Sequence, residues 1–113
     1  MAFVIKQSDS YFWPVEIEVP IDGGRFEKHT FDAEFRRLPQ TRIEEIVTGG
    51  ENAPENDRAL VAEIMIGWKG VTDGTDELVW SEKNRDMVLE IPKIAANICE
   101  AWAKSVAGIR KKN

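Results

Sequence analysis

Few side chains in this sequence are of a type that could carry chemistry. His29 is its single histidine and Cys99 its single cysteine. His29 falls on an extended segment, on the same parity as Phe31, and no second metal ligand or nucleophile stands near it in motif spacing. A structural imidazole is expected there, partly buried or bonded to a neighbour. Cys99 sits beside an apolar helical stripe, where it behaves as a small hydrophobe, whereas a catalytic thiol wants a cation or a histidine beside it. The glycines fall in turn pairs, Gly23-Gly24 and Gly49-Gly50, or singly at Gly67, Gly70, Gly74 and Gly108, with no lysine-serine continuation to cradle a phosphate. Glu44-Glu45 and Asp76-Glu77 are adjacent pairs, which diverge on a helix or lie in a solvated turn and make no acid/base dyad. The expectation is a protein that is not an enzyme and uses neither cofactor nor metal.

Size and composition narrow the class further. A chain of 113 residues, 42% hydrophobic and 31% charged, has the length of one domain and the composition of a folded one. Its apolar runs are short: Ala62 to Trp68 contains Glu63 and Gly67, far below the roughly 18 residues that a membrane span requires. The start, Met1 to Ser10, has neither an apolar export region nor a small-residue cleavage site. A lone thiol suits a reducing compartment, so the cytoplasm is the expected address. A net charge of −5 and a pI near 4.9 disfavour attraction to phosphate backbones, and Arg110-Lys111-Lys112 is too short a basic run to reverse that.

The elements that must position these residues follow from periodicity. Trp13, Val15, Ile17, Val19 and Ile21 alternate with Pro14, Glu16, Glu18, Pro20 and Asp22, which is the pattern of a half-buried strand. Both prolines lie on the even side and cannot donate to a ladder, so this strand is expected at a sheet edge. Phe31, Ala33 and Phe35 continue the odd apolar set on a second strand. A two-residue Gly-Gly turn would pair odd positions with even ones and turn Phe31 and Phe35 away from the core. A three-residue turn keeps the parity and sets Glu18 across from Lys28, whereas a five-residue turn opposes Glu16 and Asp32. The three-residue turn is therefore predicted.

Beyond Leu38-Pro39 the period becomes helical. Thr41-Arg42-Ile43-Glu44 reads as a capping box opening a short helix closed by Gly49-Gly50. Leu60, Val61, Ile64, Met65 and Trp68 predict a second helix, ended at Gly70 or Gly74, with a short extended piece over Leu78 to Trp80. Ser81 is a predicted N-cap for a helix carrying Met87, Val88 and Ile91 on its core face. Pro92 is predicted in the first turn of a final helix with Ile94, Ile98, Trp102 and Val106 in one stripe and a Glu100/Lys104 pair outside. The reading is an α+β fold: an N-terminal antiparallel β-hairpin, its first strand at the edge, packed on about four α-helices. Residues 1–109 form one domain, Ile109 onward frays, and 110–113 is a flexible basic tail.

Two features are left over by such a core. Ala59, Ala62 and Ile66 fall on one side of the second helix, opposite Leu60, Ile64 and Trp68, and Leu89 lies off the face of the third. Either the hairpin covers that side or these four residues, Ala59, Ala62, Ile66 and Leu89, are a protein contact surface. Four tryptophans, Trp13, Trp68, Trp80 and Trp102, suit an interface as well as a core.

The strings Ser8-Asp9-Ser10-Tyr11-Phe12-Trp13-Pro14-Val15, Pro20-Ile21-Asp22-Gly23-Gly24, Thr30-Phe31 and Phe35-Arg36-Arg37-Leu38 resemble those of tail assembly chaperones of bacteriophages with long noncontractile tails. Arg42-Ile43, Ile66-Gly67-Trp68-Lys69-Gly70-Val71, Trp80 before Ser81-Glu82-Lys83-Asn84, and Ile91-Pro92 extend the similarity along nearly the whole chain. The resemblance implies a phage- or prophage-encoded protein of the host cytoplasm that binds the long, helical, aggregation-prone tape measure protein and is absent from the finished virion. It also implies a longer frameshifted product that recruits the tail tube protein, with the tail as a junction; Lys111-Lys112-Asn113 can be encoded as a nearly unbroken run of adenines, on which a ribosome can slip. A homo-oligomer is compatible with this role, and neither nucleic acid nor membrane is an expected partner. The competing expectation is a tail completion or head-to-tail joining protein retained in the virion.

Overall fold

The alternation that begins the fold reaches further than the sequence pattern alone marks. In a computed structural model that describes residues 1–108, β1 runs over Ser10–Ile21 and β2 over Arg25–Arg36. Asp22, Gly23 and Gly24 join them, with φ of +83° and +75° at the two glycines, a conformation that a side chain would strain. The pairing Ile21↔Arg25 and Glu18↔Lys28 is the register of the three-residue turn. It carries Val15, Ile17, Phe31, Ala33 and Phe35 to one face, where all are buried.

β1 is the edge of a three-stranded antiparallel sheet of order β1-β2-β3, in which β3 is Met65–Lys69. The Arg37 N–H donates to the Asp9 carbonyl at 2.9 Å, one pair beyond Ser10↔Arg36. Odd residues of β1 therefore carry the bonds to β2, and even residues turn their backbone groups to the free edge. The N–H groups that Pro14 and Pro20 lack are missing from that edge and not from the ladder.

The second predicted helix is corrected. α1 spans Gln40–Thr48 and α2 spans Asp57–Ile64, but the chain then leaves helix and becomes β3, so Met65, Ile66 and Trp68 are strand residues. Lys69, Trp68, Gly67 and Met65 pair with Asp32, Ala33, Glu34 and Phe35, which gives the second edge of β2 the partner its backbone needs. Gly67 favours the strand twice over: it is a poor helix former, and a Cβ there would collide with the Glu34 side chain. The register slips between Glu34 and Phe35, leaving Ile66 as the extra residue of a bulge.

Three further details of the helices differ from expectation. The capping box of α1 is absent: Pro39 is the N-cap, and its carbonyl accepts from Arg42 and Ile43 at 3.0 and 3.1 Å. Thr41 is already inside the helix, and Glu44 instead accepts from Gln40 Nε2 at 3.3 Å. α3, Glu82–Leu89, is capped by Ser81 as predicted, its hydroxyl accepting from the Asn84 N–H at 3.0 Å. Its core side, however, is Val88 and Leu89, while Met87 and Ile91 are 55% and 48% exposed. The helix ends at Leu89, so Ile91 no longer belongs to its periodicity. α4, Ile94–Ala107, is capped by Lys93 at φ +69°, with Pro92 one residue ahead of the cap and not in the first turn.

Within α4, Ile94, Ile98 and Trp102 are buried as predicted, together with Ala101, and Val106 is half-buried. Glu100 and Lys104 pair at 3.1 Å on the outer side. The core lies between this stripe, the odd face of the hairpin, and Val61, Ile64, Met65 and Trp68. The Tyr11 and Ser105 hydroxyls, 2.7 Å apart, tie β1 to the end of α4. Among the described residues no helix is long and apolar enough to cross a membrane. The frayed end from Ile109, the tail 110–113 and its junction lie outside the described residues.

Candidate functional site

The four residues read as a contact surface do not lie on one helical stripe. Ala59 and Ala62 are exposed on α2; Ile66 is half-buried at the β3 bulge; Leu89 is 6% exposed and belongs to the core. The helical stripe joining Ile66 to the two alanines required a helix continuing past Ile64. With the helix ended there, the stripe dissolves.

His29 is partner-bonded but not buried. Its Nε2 lies 2.7 Å from Glu27 Oε1, with both side chains more than half exposed. The two residues share a face of β2 two positions apart, which brings them together along the strand. Cys99 lies between α4 and the start of α2, and its thiol donates to the Asp57 carbonyl at 3.5 Å. Burial, reinforced by the Asp57 carboxylate, pushes this thiol up to about 12, so it is protonated at neutral pH and a poor nucleophile. Among the described residues no group of three or more His, Cys, Asp or Glu side chains is placed to hold a metal ion.

The strongest polar constellation is one that spacing along the chain does not reveal. Arg42 Nε and Nη2 donate to the two Glu63 oxygens at 2.7 and 2.6 Å, and Nη1 donates to Glu45 and, at 2.9 Å, to the Asn52 carbonyl. This fork joins α1, the following loop and α2. The hydrogen bonds from Arg42 hold the Glu63 carboxyl below its usual range, against a smaller opposing effect of burial, and the same contacts raise Arg42. The Arg42/Glu45 contact follows from helical spacing, but Glu63 is reached only through the tertiary fold. Asp73 is likewise lowered, by the Asp76 and then the Thr75 N–H groups, which bond its Oδ1 at 2.8 and 2.9 Å. That turn is held to the sheet by Trp68, whose Nε1 donates to the Leu78 carbonyl at 2.8 Å and whose ring meets Trp80 edge-on at 4.8 Å.

A cleft of about 740 Å³ opens where the first residues of β1, the Arg36 to Pro39 segment, Ile43 of α1 and the last turns of α4 meet. Tyr11, Trp13, Leu38, Trp102 and Val106 are among its apolar lining residues, as is Phe12, whose ring lies on the other face of β1 with Lys69 Nζ 3.9 Å from its centre. Arg36 and Arg37 line it, and none of its lining residues is acidic, in a chain with 20 acidic residues. The Arg37 guanidinium sits 4.9 Å from the centre of the Tyr11 ring, and its Nε donates to the Ser8 hydroxyl at 3.4 Å. Several of these residues stand in the sequence strings quoted above, but only tertiary packing places them beside Val106.

The surface carries further apolar side chains. Phe3, Val4 and Ile5 near the N-terminus, Phe26 at the end of the hairpin, and Val79, Met87 and Ile91 around α3 are exposed. Compared with known proteins, the chain matches no protein-family model, no curated protein and no solved structure.

Proposed function

We propose that this protein is a phage tail assembly chaperone of the host cytoplasm that binds the tape measure protein and assists polymerisation of the tail tube around it. The reading comes from the sequence resemblance, and the observation that carries it physically is the acid-free aromatic cleft on an otherwise acidic molecule. A long helical client with apolar stripes aggregates through those stripes. A carrier that covers them while presenting a net charge of −5 to solvent keeps the complex dispersed. In this reading no bond is made or broken, and recruitment of the tail tube protein belongs to a longer frameshifted product.

Co-expression with the tape measure protein encoded in the same genome tests the reading. Co-purification of the two, with increased soluble tape measure protein, is the expected result; an insoluble tape measure protein and a chaperone eluting alone would sink it. Purified virions separate the competing role. Absence of this chain from them fits a chaperone, and a fixed copy number fits a tail completion or joining protein.

A further inference from the structure

We infer that the cleft between β1 and α4 is the docking surface for an amphipathic helix whose apolar stripe is flanked by aspartate or glutamate. The inference takes from the proposed function only that the partner is helical.

The chemistry of the walls selects the occupant. Tyr11, Trp13 and Val106 offer an aromatic and aliphatic floor, and Tyr, Trp and Arg are the residues that most often dominate binding energy at protein interfaces. Arg36 and Arg37 stand at the same site. Among the described residues Arg42, Arg58 and Arg85 form ion pairs, whereas Arg25, Arg36 and Arg37 lie beyond ion-pair distance of a carboxylate; Arg36 is still near enough to Glu63 to help lower its carboxyl, so Arg37 is the freer of the two at the cleft. Arg37 is instead held over the Tyr11 ring, a geometry that orders the guanidinium and leaves donors for an incoming anion.

Two other occupants fit less well. The chain's own exposed Phe3, Val4 and Ile5 are followed by Lys6, which would bring positive charge to Arg36 and Arg37. An added β-strand would have to bond the free edge of β1, where Pro14 and Pro20 have removed the N–H groups. A helix satisfies its own backbone and needs only side-chain contacts.

The test uses two synthetic helical peptides with the same leucine stripe, one flanked by glutamate and one by lysine, titrated calorimetrically into the full chain. The glutamate peptide is expected to bind more tightly. In the Arg36→Glu/Arg37→Glu variant its affinity falls by at least about tenfold while the lysine peptide gains, and Arg36→Gln/Arg37→Gln gives an intermediate loss. Circular dichroism verifies that each variant is folded. Equal binding of both peptides, unchanged by charge reversal, or binding of neither peptide, overturns the inference. Co-purification with the tape measure protein then separates the two readings. Capture by wild type and by the charge-reversed variant alike removes the cleft as docking surface and leaves the chaperone reading standing. Failure of wild type to capture it, alongside the expected peptide results, removes the chaperone reading and leaves the cleft.

Discussion

The two halves of the hairpin share one alternating pattern and have different fates. In the inner half, Val15, Ile17, Phe31, Ala33 and Phe35 pack on α4 and the segments around α2, and each is nearly inaccessible. In the outer half every residue from Pro20 to Thr30 is exposed, Ile21 of the odd face included, although the same ladder runs through both. Alternation therefore states which side chains share a face, and it is silent on whether anything covers that face. Coverage depends on the length of the helices beneath, and α4 with its neighbours reaches only the inner half.

The sharpest way to break this contrast is to place a charge in each half. Phe31→Asp buries an unpaired carboxylate, a cost of several kcal/mol against a typical total stability of about 5–15 kcal/mol, and thermal melts should show the variant unfolded or nearly so. Ile21→Asp, on the same odd face at a residue 39% exposed, should leave the melting curve within about 0.5 kcal/mol of wild type. A normal melt for the first, or collapse of the second, would erase the distinction between the halves.

A smaller effect is expected from truncation. Phe35→Ala removes a fully buried ring and should destabilise by about 3–5 kcal/mol in chemical denaturation. Smaller still is the turn that fixes the register: Gly23→Ala, at φ +83°, should cost about 1 kcal/mol through backbone strain without loss of contacts. If both variants cost the same, packing of the inner half contributes less than its burial indicates.

The smallest effect concerns acid and the helical side of the core. Glu63 is lowered in the folded protein by its bonds to Arg42, so its contribution is present above its unfolded value of about 4.5 and fades as pH falls through the lower folded value. Wild type should therefore lose more stability than Glu63→Gln between about pH 5 and pH 3, the variant starting lower at neutral pH. Parallel pH profiles would show that the fork between α1 and α2 adds nothing to stability. The exposed His29/Glu27 contact of the outer hairpin supplies the contrast, since a surface polar contact at that exposure contributes little.

Much of this architecture is legible in the chain because its causes are local. Parity of the apolar residues set the three-residue turn; two prolines on one side placed β1 at an edge; Ser81 announced its helix; and Ile94, Ile98 and Trp102 marked the buried stripe of α4. Each rests on backbone geometry or side-chain spacing within a few residues. The tertiary structure decided the rest. Met65 to Lys69 satisfied a helical period, yet the open edge of β2 drew it into a strand, and with that Ile66 left the helical stripe it would have shared with Ala59 and Ala62. Leu89 went inside and Met87 outside because only the end of α3 meets the core. The cleft is the clearest case: its aromatic and basic residues are readable one by one, but their meeting with Val106 requires β1 and α4 to pack together. A period chooses a face, and only the partners present in the fold choose whether that face is buried, paired or left open to a ligand.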